Sequence, residues 1–235
     1  MKQTDWVGGP LLGFDTETTG VNVTDDHIVT AALVLRIPGQ SIDVRTWLLN
    51  PGVEIPAGAT AIHGISTEHA KQFGAPPAEA LAEMAQELAE HLNAGVPVVA
   101  YNASFDLQIL DAELSRYGLP TLADRLGCSV KPVLDPLVID RWQDRYRRGK
   151  RTLGDLVQHY GIENQGDLHA ADVDVLATLD VLEALANHFP ALRAASLDEL
   201  HAAQIQAHRD WAINFNQWRE RQGFDGPGAS LDWPC

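Results

Sequence analysis

Residues 14–20 read Phe14-Asp15-Thr16-Glu17-Thr18-Thr19-Gly20 and follow the apolar run Leu11-Leu12-Gly13. An apolar run that ends in two acids spaced i and i+2 limits the possible folds more than any other stretch. On a strand, side chains two apart stand on one face, so Asp15 and Glu17 are expected side by side at the end of a buried strand. Two like charges held that close repel, and burial raises their cost unless a cation lies between them. The remaining chain has to provide for that pair.

The patterning after it predicts a sheet. Residues 10–16 read as a first strand, with Thr18-Thr19-Gly20 as a turn. Residues 27–37, rich in Val, Ile, Leu and Ala, read as a second strand, and the alternating residues 42–49 as a third in an antiparallel meander. A loop runs through Ile62-His63-Gly64-Ile65. Residues 76–93 have helical periodicity, with Ala80, Leu81, Met84, Leu88 and Leu92 on one face. The wholly apolar residues 96–101 are predicted as a buried strand, 104–117 as a helix with Ser104 as its N-cap, and 133–135 as a last short strand. Helices are expected over 136–146, 152–160 and 170–188. Ser196, with Glu199 three residues on, opens a final helix to about Arg221 as a capping box. The order suggests a mixed α/β sheet covered by helices, residues 1–190, with a helical C-terminal extension and tail, residues 191–235.

Composition narrows the class. Hydrophobic residues at 45% and charged residues at 21% suit an ordinary globular protein. No apolar run approaches membrane-spanning length, residues 1–6 lack the apolar core of a signal peptide, and the two cysteines, Cys128 and Cys235, lie far apart. A cytoplasmic setting with no membrane partner is therefore expected. The net charge of -15 argues against a general polyanion-binding surface, yet six of the 17 Lys and Arg residues fall within 141–151. Taken alone, that run reads as a solvated face.

Further acids follow two later junctions. Asn102-Ala103-Ser104-Phe105-Asp106 comes directly after the buried strand, where Asp106 can be a first-turn acid stabilised by the helix dipole or a carboxylate projected toward the sheet end. Phe105 beside it can stack on a nucleobase or pack in the core. His169-Ala170-Ala171-Asp172-Val173-Asp174 opens the long helix. Two residues apart on a helix point about 200° apart, so only one of Asp172 and Asp174 can face a common site. A histidine beside a carboxylate cluster is the natural general base near neutral pH.

Asp15-x-Glu17, Asn102-Ala103-Ser104-Phe105-Asp106 and His169-x-Ala171-x-x-Asp174 resemble, in order and separation, the three motifs of the DEDDh (DnaQ-like) 3′→5′ exonuclease family, typified by the proofreading epsilon subunit of bacterial DNA polymerase III. The resemblance covers about residues 10–190 and implies a ribonuclease H-like fold, a mixed five-stranded sheet flanked by helices. It implies two Mg²⁺ or Mn²⁺ ions held by Asp15, Glu17, Asp106 and Asp174, with His169 as base, and it selects Asp174 over Asp172. Thr16, Thr18, His63 and Phe105 are the substrate-binding positions it implies, with Ile62-His63-Gly64-Ile65 near the terminal nucleotide. An all-carboxylate set also suits hard cations, and two of them about 3.5–4 Å apart can steady the attacking and leaving oxygens of a phosphodiester.

The expected substrate is the single-stranded or mispaired 3′ end of DNA, with release of nucleoside 5′-monophosphates in proofreading or repair. RNA is the alternative, as in ribonuclease T or oligoribonuclease, and a non-catalytic nucleic-acid-binding scaffold is the rival from another class. Trp211, Phe215 and Trp218 recur at helical spacing on the final helix and read more readily as a core face than as a partner site. That helix could also seat a polymerase subunit or a second copy of the chain.

Overall fold

A computed structural model describes residues 5–163 and 171–235. Three strands form an antiparallel meander: β1 (Leu11–Thr18), β2 (Ile28–Arg36) and β3 (Asp43–Leu48). Helices α1 (Ala57–His63), α2 (Thr67–Phe73) and α3 (Pro77–Asn93) follow, then the short strand β4 (Val98–Val99) and α4 (Ala103–Arg116). Next come α5 (Leu122–Leu126), β5 (Val133–Leu134), α6 (Pro136–Gln143) and α7 (Leu153–His159). Helices α8 (Ala171–His188), α9 (Pro190–Ala194) and α10 (Leu197–Gln222) complete the chain. β4 pairs parallel to β1 and β5 parallel to β4, so the sheet runs β3-β2-β1-β4-β5. The mixed five-stranded sheet with flanking helices is the expected architecture.

Strand alternation sorts β1 between two cores. Leu12 and Phe14 pack with Leu81, Met84, Leu107 and Leu110 of α3 and α4. Leu11 packs on the other face with Val175, Leu179 and Leu182 of α8. Gly13 lies on that second face, and a Cβ there would overlap the Val175 side chain and crowd Leu179. The glycine therefore lets α8 lie close against β1.

Several expectations needed correction. β1 continues through Thr18, with a register shift between Glu17 and Thr18, where a turn was expected. The Ile62-His63 segment ends a short helix, closed by Gly64 at φ 78°, in place of a loop. α4 starts one residue earlier than predicted: its N-cap is Asn102 in the left-handed region at φ 62°, not Ser104.

The C-terminal segment is bonded into the sheet edge. β5 has an open side, and α10 covers it with side chains. Gln204 accepts the Asp135 amide at 2.7 Å and donates to Val133 O at 3.0 Å, while His201 Nδ1 accepts the Val133 amide at 3.2 Å. Such an edge otherwise presents unpaired backbone groups to other chains. The tail returns as well, placing Trp233 in the core beside α3 and α4. Among the described residues, no helix is long and apolar enough to cross a membrane, and Cys128 and Cys235 are free thiols.

Candidate active site

The alternation that divides the core also divides the acids. Asp15 and Glu17 share the face of Leu11 and look toward α8; Thr16 shares the face of Phe14 and looks toward α4. From the first turn of α8, Asp174 joins Asp15 and Glu17 so that one carboxylate oxygen from each lies within 4.8 Å of the others. All three are half-buried. Asp172, turned away by the helical period, lines a neighbouring cavity of about 240 Å³ with His63 and Trp47.

Asp106 reaches the same end of the sheet from the opposite face. It is buried, and its Oδ1 accepts both the Thr16 amide at 3.0 Å and the Thr16 hydroxyl at 2.7 Å. The four acids thus form a group of three plus a fourth that is tied to β1 through the residue between the first two. Thr16 directs its hydroxyl inward to this bond.

The electrostatics show strain that a cation relieves. Burial raises the Asp15 carboxyl well above the usual range, and the charges of Asp106, Glu17 and Asp174 raise it further. Glu17 is pushed up to about 7 by burial and then by Asp174. Asp106 is also pushed up to about 7, chiefly by burial, against the lowering effect of the Thr16 bonds. A crowded, oxygen-only donor set of this kind fits a hard divalent cation, which would lower all of these values together.

Around the acids, the other sequence-predicted positions fall as follows. The Thr18 hydroxyl donates to Gly20 O at 2.6 Å. His63 Nδ1 accepts the Ile65 amide at 3.1 Å, whereas its Nε2 is buried without a hydrogen-bond partner among the described residues. Burial lowers the His63 ring pKa, opposed by the Thr18 backbone. Phe105 is half-buried and packs against the α3–α4 core. His169 lies outside the described residues.

Asp135 was not singled out by its sequence context, yet it organises this end of the sheet. Its buried carboxylate accepts the amides of Asn102 and Ala103 at 3.1 and 2.9 Å, capping the helix that carries Asp106. It also accepts Leu137 N at 2.9 Å at the start of α6 and Trp233 Nε1 at 3.4 Å from the tail. The only local signal was the Asp135-Pro136 pair, an N-cap acid followed by proline at the first helical position.

The chain is similar to known proteins in sequence and in fold. Residues 12–182 match the RNase T family, described as exonuclease. DNA polymerase III of the PolC type from Streptococcus thermophilus is 31% identical over 166 residues, covering 70% of this chain and 10% of that protein. The PolC-type polymerase of Lactococcus lactis is 31% identical over 168 residues, covering 70% of this chain and 9% of its own. The chain thus spans about a tenth of the length of these relatives. Among solved structures, E. coli exonuclease I in complex with a dA16 oligonucleotide superposes with a TM-score of 0.67 at 20% identity, over 86% of this chain and 44% of that one. Exonuclease I from Methylocaldum szegediense gives a TM-score of 0.62 at 22% identity, over 79% and 42%. The chain belongs to the RNase T exonuclease family, of the DEDDh type.

Proposed function

We propose that this protein is a divalent-cation-dependent 3′→5′ exonuclease that removes nucleoside 5′-monophosphates from single-stranded or mispaired 3′ ends of DNA. The observation that carries this reading is the convergence of Asp15, Glu17 and Asp174 within 4.8 Å, with Asp106 raising the Asp15 carboxyl from the adjacent face. The exonuclease I structure with dA16 and the polymerase III relatives support DNA as the substrate class.

Asp15, Glu17 and Asp174 are the residues to hold Mg²⁺ or Mn²⁺ ions, and Asp106 completes the set. When bound, two such ions would offset the charge of the phosphodiester and lower the pKa of a coordinated water. His169, five residues before Asp174, takes the proton from that water as general base. His63, Thr18 and Phe105 are the positions to contact the terminal nucleotide, a role supported by the nearness of His63 to the Thr18 backbone and of Phe105 in sequence to Asp106. Thr16 acts through Asp106, which it orients. Residues 1–190 are the catalytic part and residues 191–235 the brace that closes the β5 edge. The similarity to PolC-type DNA polymerase III supports a polymerase as the partner class.

The test is release of 5′-monophosphate from 3′-labelled single-stranded DNA, mispaired duplex and RNA, with Mg²⁺, with Mn²⁺ and with EDTA. Cation-dependent release from DNA is expected, lost in Asp15→Ala and Asp174→Asn. Retained activity in either purified variant rejects the assignment, and a stronger preference for RNA transfers it to the exoribonuclease reading.

A further inference from the structure

The basic run 141–151 and the aromatic residues of α10, each read from sequence as ordinary surface or core, meet in one groove of about 570 Å³. Arg141, Arg145, Arg147 and Arg151 form one side; Trp211 and Phe215 form the other. The aromatic residues are not a core face. The buried positions of α10 are Leu200, His201, Gln204, His208 and Ala212, a different stripe of the helix.

The arginines are held in place from behind. Asp140, fully buried, pairs with Arg147 at 2.9 Å and with Arg151, and accepts the Tyr160 hydroxyl at 2.8 Å. The Arg141 guanidinium lies 3.9 Å over the Trp211 ring. Among the described residues neither Arg141 nor Arg145 has a carboxylate within ion-pair distance, although Asp135 and Asp140 act on Arg141 from further away, and Asp210 is the one acid on the lining. In a chain with 32 acidic residues, this concentration of positive charge stands apart.

The rings continue beyond the groove. Trp211 stacks on Phe215 at 5.2 Å and 14°, Phe215 on Trp218 at 5.7 Å, and Trp218 lies 5.5 Å from Phe224. Trp218 and Phe224 are 44% and 55% exposed, and Tyr146, on the arginine side, is 88% exposed. Trp211, Phe215 and Trp218 stack on one another, so the ring surface open to a ligand is that of Trp218, Phe224 and Tyr146. Open rings at the rim of a positively charged groove are an arrangement that holds single strands without sequence preference, with bases on the rings and phosphates on the guanidiniums. The groove is also tied to the catalytic end of the sheet, because Tyr101, directly after β4, donates its hydroxyl to Arg151 O at 2.6 Å.

We propose that this arginine–aromatic groove binds single-stranded nucleic acid at a distance from the reacting 3′ end. It rests on the exonuclease reading only for the identity of the strand's other end.

The test is fluorescence anisotropy of a labelled 20-mer oligo(dT) with the full chain in EDTA, where no hydrolysis occurs. Arg145→Glu and Phe215→Ala are each expected to weaken binding about tenfold or more. Arg145→Ala should lower the slope of log affinity against log salt by about 0.7, one phosphate contact. Arg125→Glu, the same charge change on α5, should leave binding unaltered. Unchanged affinity in both groove variants, equal loss in Arg125→Glu, or no binding by the wild type at low salt overturns the proposal. Capture of an acidic peptide that depends on Arg145 while oligo(dT) binding does not overturns it in favour of a protein partner. A strand bound through Arg145 by a protein without nuclease activity rejects the exonuclease reading alone. Nuclease activity with binding indifferent to Arg145 and Phe215 rejects the groove alone.

Discussion

Thr16 gives both of its donors, amide and hydroxyl, to a single oxygen of Asp106. This joins β1 to the first turn of α4 at the one residue that separates Asp15 from Glu17. The position of the fourth acid is therefore coupled to the strand that carries the first two. Removing the hydroxyl while keeping the shape tests the coupling. Thr16→Val is expected to cost about 1.5–3 kcal/mol, the range for a hydrogen bond to a charged group, read by urea denaturation. It should also reduce nuclease activity, because Asp106 loses its orientation.

Cation binding should appear as stability. A ligand at about a hundred times its dissociation constant adds about 2.7 kcal/mol to the native state. Mn²⁺ is expected to raise the thermal midpoint of the wild type, and Glu17→Gln or Asp174→Asn to abolish most of that rise. Asp172→Asn should retain it, since that side chain lines the neighbouring cavity. Differential scanning fluorimetry with and without Mn²⁺ makes the comparison.

Without cations, the same acids predict an unusual pH response. Their native pKa values are raised above the unfolded ones, to about 7 for Glu17 and Asp106. The native state then holds protons that the unfolded chain has lost, so this contribution to stability falls as pH rises from about 4 to about 7. In EDTA, Asp15→Asn should show a shallower fall than the wild type over that window, because it removes a member of the repulsive group. Denaturation midpoints at about pH 5 and pH 7.5 give the difference. Parallel curves would contradict it.

Gly13 tests the closeness of α8 to β1. Gly13→Ala places a methyl group against Val175 and Leu179, and overpacking of this kind costs about 1–3 kcal/mol. Because α8 carries Asp174, the variant should also lose part of the Mn²⁺ stabilisation. A destabilised variant with the full cation response would separate packing from the site.

The edge closure by α10 is testable at Gln204. Gln204→Leu leaves Val133 O and Asp135 N without their side-chain partner. Buried groups stripped of partners cost about 1–3 kcal/mol each, so a loss of at least about 2 kcal/mol is expected in chemical denaturation.

Much of the site could be read from local periodicity. A period of two places Asp15 and Glu17 on one face, and a period of 3.6 lets only one of Asp172 and Asp174 turn to them. Both inferences need only the residues themselves, and the apolar patterning likewise indicates a mixed α/β sheet that opens with an antiparallel meander. What tertiary packing decided is how faces meet. Leu11 and Leu12 are equally apolar, so nothing local indicates that Asp15 lies toward α8 while Thr16 and Asp106 join on the α4 side. Asp135 looks like any N-cap until Asn102, Ala103 and Trp233, from distant parts of the chain, converge on it. The stripe of Trp211, Phe215 and Trp218 has the spacing of a core face, yet Gln204 and His201 occupy the buried side of that helix because β5 needed partners for its open edge. Spacing fixes which residues share a face; only the long-range contacts decide what that face is turned toward.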